Sequence, residues 1–114
     1  MSEIYESELA YLVQYAEQTS VYFTILWDAA ETVADDGSSV PEVQKAALSL
    51  VGDMLDRGIR AGDMSPQEGE EVVPWDLSRE GVLHRIEREM QMYDDPYDYI
   101  KICWFSAPKS TESH

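Results

Sequence analysis

Between Tyr5 and Ala34 the apolar side chains fall at Leu9, Val13, Ala16, Phe23, Trp27, Ala30 and Ala34, at separations of three, four and seven. That spacing gathers them on one helical stripe. The polar step Gln18-Thr19-Ser20 interrupts the stripe, and Ser20 is a residue type suited to an N-cap. The pattern therefore predicts two helices with a bend rather than one long helix. Locally, Val21-Tyr22-Phe23-Thr24-Ile25 is β-branched and aromatic and favours a strand. Asp35-Asp36-Gly37-Ser38-Ser39 ends the helical run.

The next element has the strongest signals. Ser39-Val40-Pro41-Glu42 reads as a capping box with proline in the first turn. Val43, Ala46, Ala47, Leu50, Val51, Met54 and Leu55 then mark a continuous apolar face, and Gly58 stands where a helix needs a left-handed terminator. Ile59 to Met64 reads as a short strand and Ser65 to Gly69 as a loop. Glu71 to Trp75 reads as a second strand, which Pro74 confines to an edge or ends. Asp76 or Ser78 caps a further helix with core face Val82, Leu83, Ile86, Met90 and Tyr93, stopped by Asp94-Asp95-Pro96. Tyr97 to Phe105 alternates in part and reads as a strand, leaving a polar tail from Ala107 to His114 that should fray.

The expected fold is a mainly helical α+β domain of about four helices with a small antiparallel sheet, its C-terminal half winged-helix-like. Residues 1–106 form one domain and 107–114 a flexible tail, since 114 residues suit a single core. Trp27, Leu50, Leu55, Ile86 and Trp104 are expected in that core.

Charge changes the picture more than any motif. Nine carboxylates (Glu3, Glu6, Glu8, Glu17, Asp28, Glu31, Asp35, Asp36, Glu42) precede the first cation, Lys45, and the chain carries a formal charge of −15. With 44% hydrophobic residues it is no acidic disordered tail. Such a field opposes nucleic acid and anionic membrane and attracts basic surfaces. The N-terminus has no basic start before an apolar run, and no apolar stretch approaches the roughly 20 residues of a membrane span. A lone cysteine, Cys103, between Ile102 and Trp104, reads as a small buried hydrophobe. The expected setting is cytoplasmic.

Catalytic patterns are not assembled. His114 is terminal, and His84 lies beside Arg85 and Arg88 on the face away from Leu83 and Ile86. Neither has a second histidine at helical spacing, and the acidic turns at 35–39 and 94–98 lack the ligand alternation of a calcium loop. The glycines stand singly, without a phosphate-cradling loop. The expectation is a protein that is not an enzyme, with no cofactor and no metal.

A binding surface has more in its favour. Glu8, Glu17, Asp28 and Glu31 share the cation-free segment with Tyr11, Tyr15 and Tyr22, whose spacings of four and seven align them if one helix runs through. Tyrosine beside carboxylate suits Lys- and Arg-rich surfaces. The competing reading is that the rings cover the core edge. Glu68, Glu70 and Glu71 form a second acidic cluster. Against these stand Arg79, Arg85 and Arg88, which invite a DNA-binding reading, but Glu80, Glu87 and Glu89 lie among them at ion-pair spacing, Arg85 to Glu89 for instance.

The stretch from about Thr24 to Phe105 resembles small acidic actinobacterial proteins that recur beside toxin-like genes. The resemblance rests on Ile25-Leu26-Trp27, Met54-Leu55-Asp56-Arg57-Gly58, Gly62-Asp63-Met64, Pro74-Trp75 and Ile102-Cys103-Trp104-Phe105. It implies an immunity-like protein of a polymorphic toxin system and identifies no binding residue. The partner expected from charge is a basic protein, such as a nuclease-like toxin, without direct nucleic-acid binding. The alternatives are a nucleic-acid mimic of the phage-inhibitor type, or a winged-helix-like regulator or antitoxin. Oligomeric state is not legible in the sequence.

Overall fold

The computed structural model describes residues 3–34, 39–64, 72–93, 95, 98–99 and 102–107. Helix α1 (Glu3–Gln18) buries Tyr5, Leu9, Leu12 and Ala16, spaced four, three and four. Leu12, not Val13, takes the central position. The chain then breaks as the polar step requires, but Ser20 does not cap the next helix. A two-residue strand, β1 (Val21–Tyr22), intervenes, and α2 (Phe23–Ala34) starts directly after it. The strand propensity of Val21 and Tyr22 prevails because a distant strand pairs with them.

Helix α3 (Val40–Asp56) has the predicted ends. Ser39 accepts from the Glu42 amide while the Glu42 side chain accepts from the Ser39 amide. At the other end Gly58 adopts φ +92°, its amide donates to the Leu55 carbonyl, and that of Ile59 donates to the Met54 carbonyl. This is a Schellman terminus, and the apolar residues at its two ends, Ile59 and Met54, are both buried in the core.

Strands β2 (Arg60–Met64) and β3 (Val72–Pro74) form an antiparallel hairpin, Gly62 opposite Pro74. β3 is an edge strand, where Pro74 removes no ladder donor from the interior. Ser78 caps α4 (Arg79–Met92), its hydroxyl accepting from the Gly81 amide. Of the strand expected over Tyr97–Phe105, Asp98 and Tyr99 lie in a 3₁₀ turn, and among the described residues of that stretch the extended ones belong to β4 (Trp104–Ser106). β4 inserts between β1 and β2, giving the all-antiparallel order β1-β4-β2-β3. The molecule is a mainly helical α+β protein with a small antiparallel sheet, and its C-terminal half has the hairpin, helix and return strand.

One hydrophobic core joins the helices to the inner sheet face. Phe105, Val21 and Ala61 point inward from adjacent strands. Period-two alternation then turns Trp104 outward, so Trp104 is half-buried and not the core residue expected. Leu55 is likewise half-buried, at the edge of the α3 stripe, whereas Trp27, Leu50 and Ile86 are buried. Tyr99 is the centre of an aromatic cluster, edge-on to Trp27 at 4.9 Å and to Phe23 at 5.9 Å. Its buried hydroxyl donates to the Met90 carbonyl and accepts from Gln44. Burial also raises the Cys103 thiol pKa well above its ordinary value, consistent with a packing role. Ala107 does not fray: it packs on the core and its amide reaches the Ala16 carbonyl. Residues 108–114 lie outside the described residues.

Candidate functional site

Burying Tyr5, Leu9, Leu12 and Ala16 turns one flank of α1 toward solvent, and that flank carries Ile4, Glu8, Tyr11 and Tyr15. Tyr11 is 50% exposed and lies edge-on to Tyr15, ring centroids 5.8 Å apart. Tyr15 is half-buried against the core, so the edge-covering reading holds for Tyr15 and not for Tyr11. Glu17, two residues on from Tyr15, is about 200° round the helix and belongs to the opposite flank. On α2 the buried set Phe23, Leu26, Trp27, Ala29 and Ala30 leaves Asp28 and Glu31 exposed, one turn apart.

Tyr22 does not continue the α1 stripe, because the helix ends before it. It stands on β1 opposite Trp104, with ring centroids at 4.2 Å, on the outer face of the sheet. The ten expected contact residues thus divide by element: Glu8, Tyr11 and Tyr15 together, Asp28 and Glu31 together, Glu17 and Tyr22 apart. Glu68, Glu70 and Glu71 lie outside the described residues.

Two of the three arginines of α4, Arg79 and Arg85, are engaged within the fold, and Arg88 is exposed. Arg79 Nε donates to Asp56 Oδ1 at 2.8 Å and its Nη2 to Oδ2 at 3.3 Å. Arg85 pairs with Glu89 at 3.0 Å, as its spacing predicts, and its guanidinium lies 3.8 Å from the centroid of the Trp75 ring. His84 is exposed.

A second feature was not legible in the sequence. Tyr5 from α1, Lys45, Leu48, Ser49, Gly52 and Asp53 from α3, and Arg79 and Leu83 from α4 line an open cleft of about 460 Å³. Tyr5 Oη donates a hydrogen bond to Asp53 Oδ2. Burial, then that bond and the Asp53 charge, raise the Tyr5 hydroxyl above its ordinary pKa. The one sequence signal for this cleft was Gly52, a glycine inside a well-capped helix, where it costs about 1 kcal/mol relative to alanine. Its walls come from helices far apart in sequence.

Among the described residues no helix is long and apolar enough to cross a membrane, and no group of three or more His, Cys, Asp and Glu side chains is arranged to hold a metal ion. Comparison with family models, curated proteins and solved structures returns no match.

Proposed function

We propose that this chain is a non-enzymatic binding protein that docks a basic protein through the acidic, tyrosine-bearing surface of its first two helices. Its partner in this reading is a cognate toxin, most simply a nuclease, whose substrate-binding region it covers in the cytoplasm. The observation that carries the reading is Tyr11, half-exposed beside Tyr15 and Glu8, in a segment with no Lys or Arg before Lys45. A tyrosine held by an edge-on neighbour loses little entropy on docking, and surrounding carboxylates steer a cationic partner. The engagement of Arg79 with Asp56 and of Arg85 with Glu89 and Trp75 also speaks against a phosphate-binding role for α4.

The test begins with capture of the partner on tagged protein from its native host, followed by binding kinetics at two salt concentrations. Reversing Glu8, Asp28 and Glu31 to Lys should slow association about tenfold, less so at high salt, whereas reversing Glu17, on the opposite flank of α1, should change it less. Tyr11→Ala should instead speed dissociation. Unaltered rates in folded variants, checked by circular dichroism, would remove this surface from the interface. Displacement of the captured partner by duplex DNA at the same surface, with a DNA-binding protein in place of a toxin, would favour nucleic-acid mimicry.

A further inference from the structure

Only eight cations occur in the chain, yet two of them, Lys45 and Arg79, line the cleft between α1, α3 and α4. Arg79 is held there by shape as well as charge. A Cβ at Gly52 would stand 2.7 Å from Arg79 Nη2 and 3.4 Å from its Cζ, so the missing side chain is what lets the guanidinium settle onto the helix. Asp56 fixes its outer edge through Nε and Nη2. A guanidinium has five N–H donors, and Nη1 makes no hydrogen bond among the described residues. Lys45 is in no ion pair among the described residues either.

The remaining lining sorts by chemistry. Leu48 and Leu83 supply apolar wall, Ser49 a hydroxyl, and the Tyr5–Asp53 pair a polar end. Two cations and one carboxylate leave the lining charge at +1, and since Arg79 is already paired with Asp56, Lys45 is the lining cation without an ion pair. That balance suits a single negative charge, and a dianion would meet Asp53, Asp56 and the acidic molecule as a whole. A volume of about 460 Å³ lies within the range of small-molecule sites, about 300–1,000 Å³.

We propose that this cleft binds a small organic monocarboxylate. Its carboxylate lies between the Lys45 ammonium and Arg79 Nη1, with its apolar body against Leu48 and Leu83. The proposal is independent of the docking surface on α1 and α2.

Titration of the full chain with benzoate, followed by the amide and arginine Nε–H resonances, tests it. Saturable shifts are expected at Lys45, Ser49, Gly52, Asp53 and the Arg79 Nε–H. Benzamide, which matches the shape without the charge, should cause none. Lys45→Ala should weaken benzoate about tenfold, which is about 1.4 kcal/mol. Gly52→Ala should weaken it similarly by displacing Arg79, while the melting temperature holds or rises, since alanine favours the helix. That separation distinguishes a lost site from a lost fold. Absence of saturation, equal binding of benzamide, tighter binding of inorganic phosphate, or unchanged affinity in both variants would each overturn the proposal.

Discussion

Tyr5 shows how one residue joins the core to the cleft. Its ring is buried with Leu9 and Leu12, and its hydroxyl donates to Asp53. The folded environment raises its pKa, chiefly by burial, from an ordinary value near 10. In the unfolded chain the phenol ionises near 10, so above that pH the unfolded state holds fewer protons than the folded one and stability falls. The contribution is complete below pH 10 and is lost as pH rises toward the folded value. Tyr5→Phe should therefore give a stability curve that falls less steeply above pH 10 than that of the parent chain. Urea denaturation across the alkaline range measures this, and parallel curves would mean that Tyr5 titrates alike in both states.

At the scale of elements, α3 is defined by its two ends, and the two make different demands. Ser39 satisfies an orphan amide with a side chain, whereas Gly58 supplies a backbone conformation at φ +92°. Ser39→Ala should cost about 1 kcal/mol. Gly58→Ala should cost a similar or greater amount, because an L side chain in the left-handed region costs roughly 1–2 kcal/mol. No neighbouring atom stands within 4 Å of a Cβ there, so the penalty is conformational and not steric crowding by the fold. Equilibrium denaturation checks both, and a neutral Gly58→Ala would show that the turn relaxes. These ends were legible because capping is local: donor, acceptor and backbone conformation all lie within a few residues. The bounds of β4 were not, because a three-residue strand is delimited by what it pairs with, and its partners are β1 and β2.

For the whole molecule the governing quantity is the charge of −15. Arg79–Asp56 and Arg85–Glu89 are ion pairs between described residues, and with 23 acidic against 8 basic residues most carboxylates have no cation to pair with and repel one another. Screening shortens the range of that repulsion to ~8 Å at 0.15 M ionic strength. The melting temperature should rise from low salt to moderate NaCl, and differential scanning calorimetry across that range measures it. A flat curve would show that the carboxylates are spaced too widely for self-repulsion to matter to folding.

By itself the sequence determined the helices, the hairpin, the edge position of Pro74 and the acidity of the N-terminal third. Each depends on period, local capping or composition, which are properties of neighbours along the chain. Tertiary structure alone decided that Trp104 faces outward while Phe105 faces in, that Tyr22 joins Trp104 rather than Tyr11 and Tyr15, and that Tyr99 fills the aromatic centre. It also decided that Tyr5, Lys45 and Arg79 meet around Gly52. Those outcomes turn on which faces pack together, and the free energy that selects them comes from contacts between residues tens of positions apart, which no local pattern encodes.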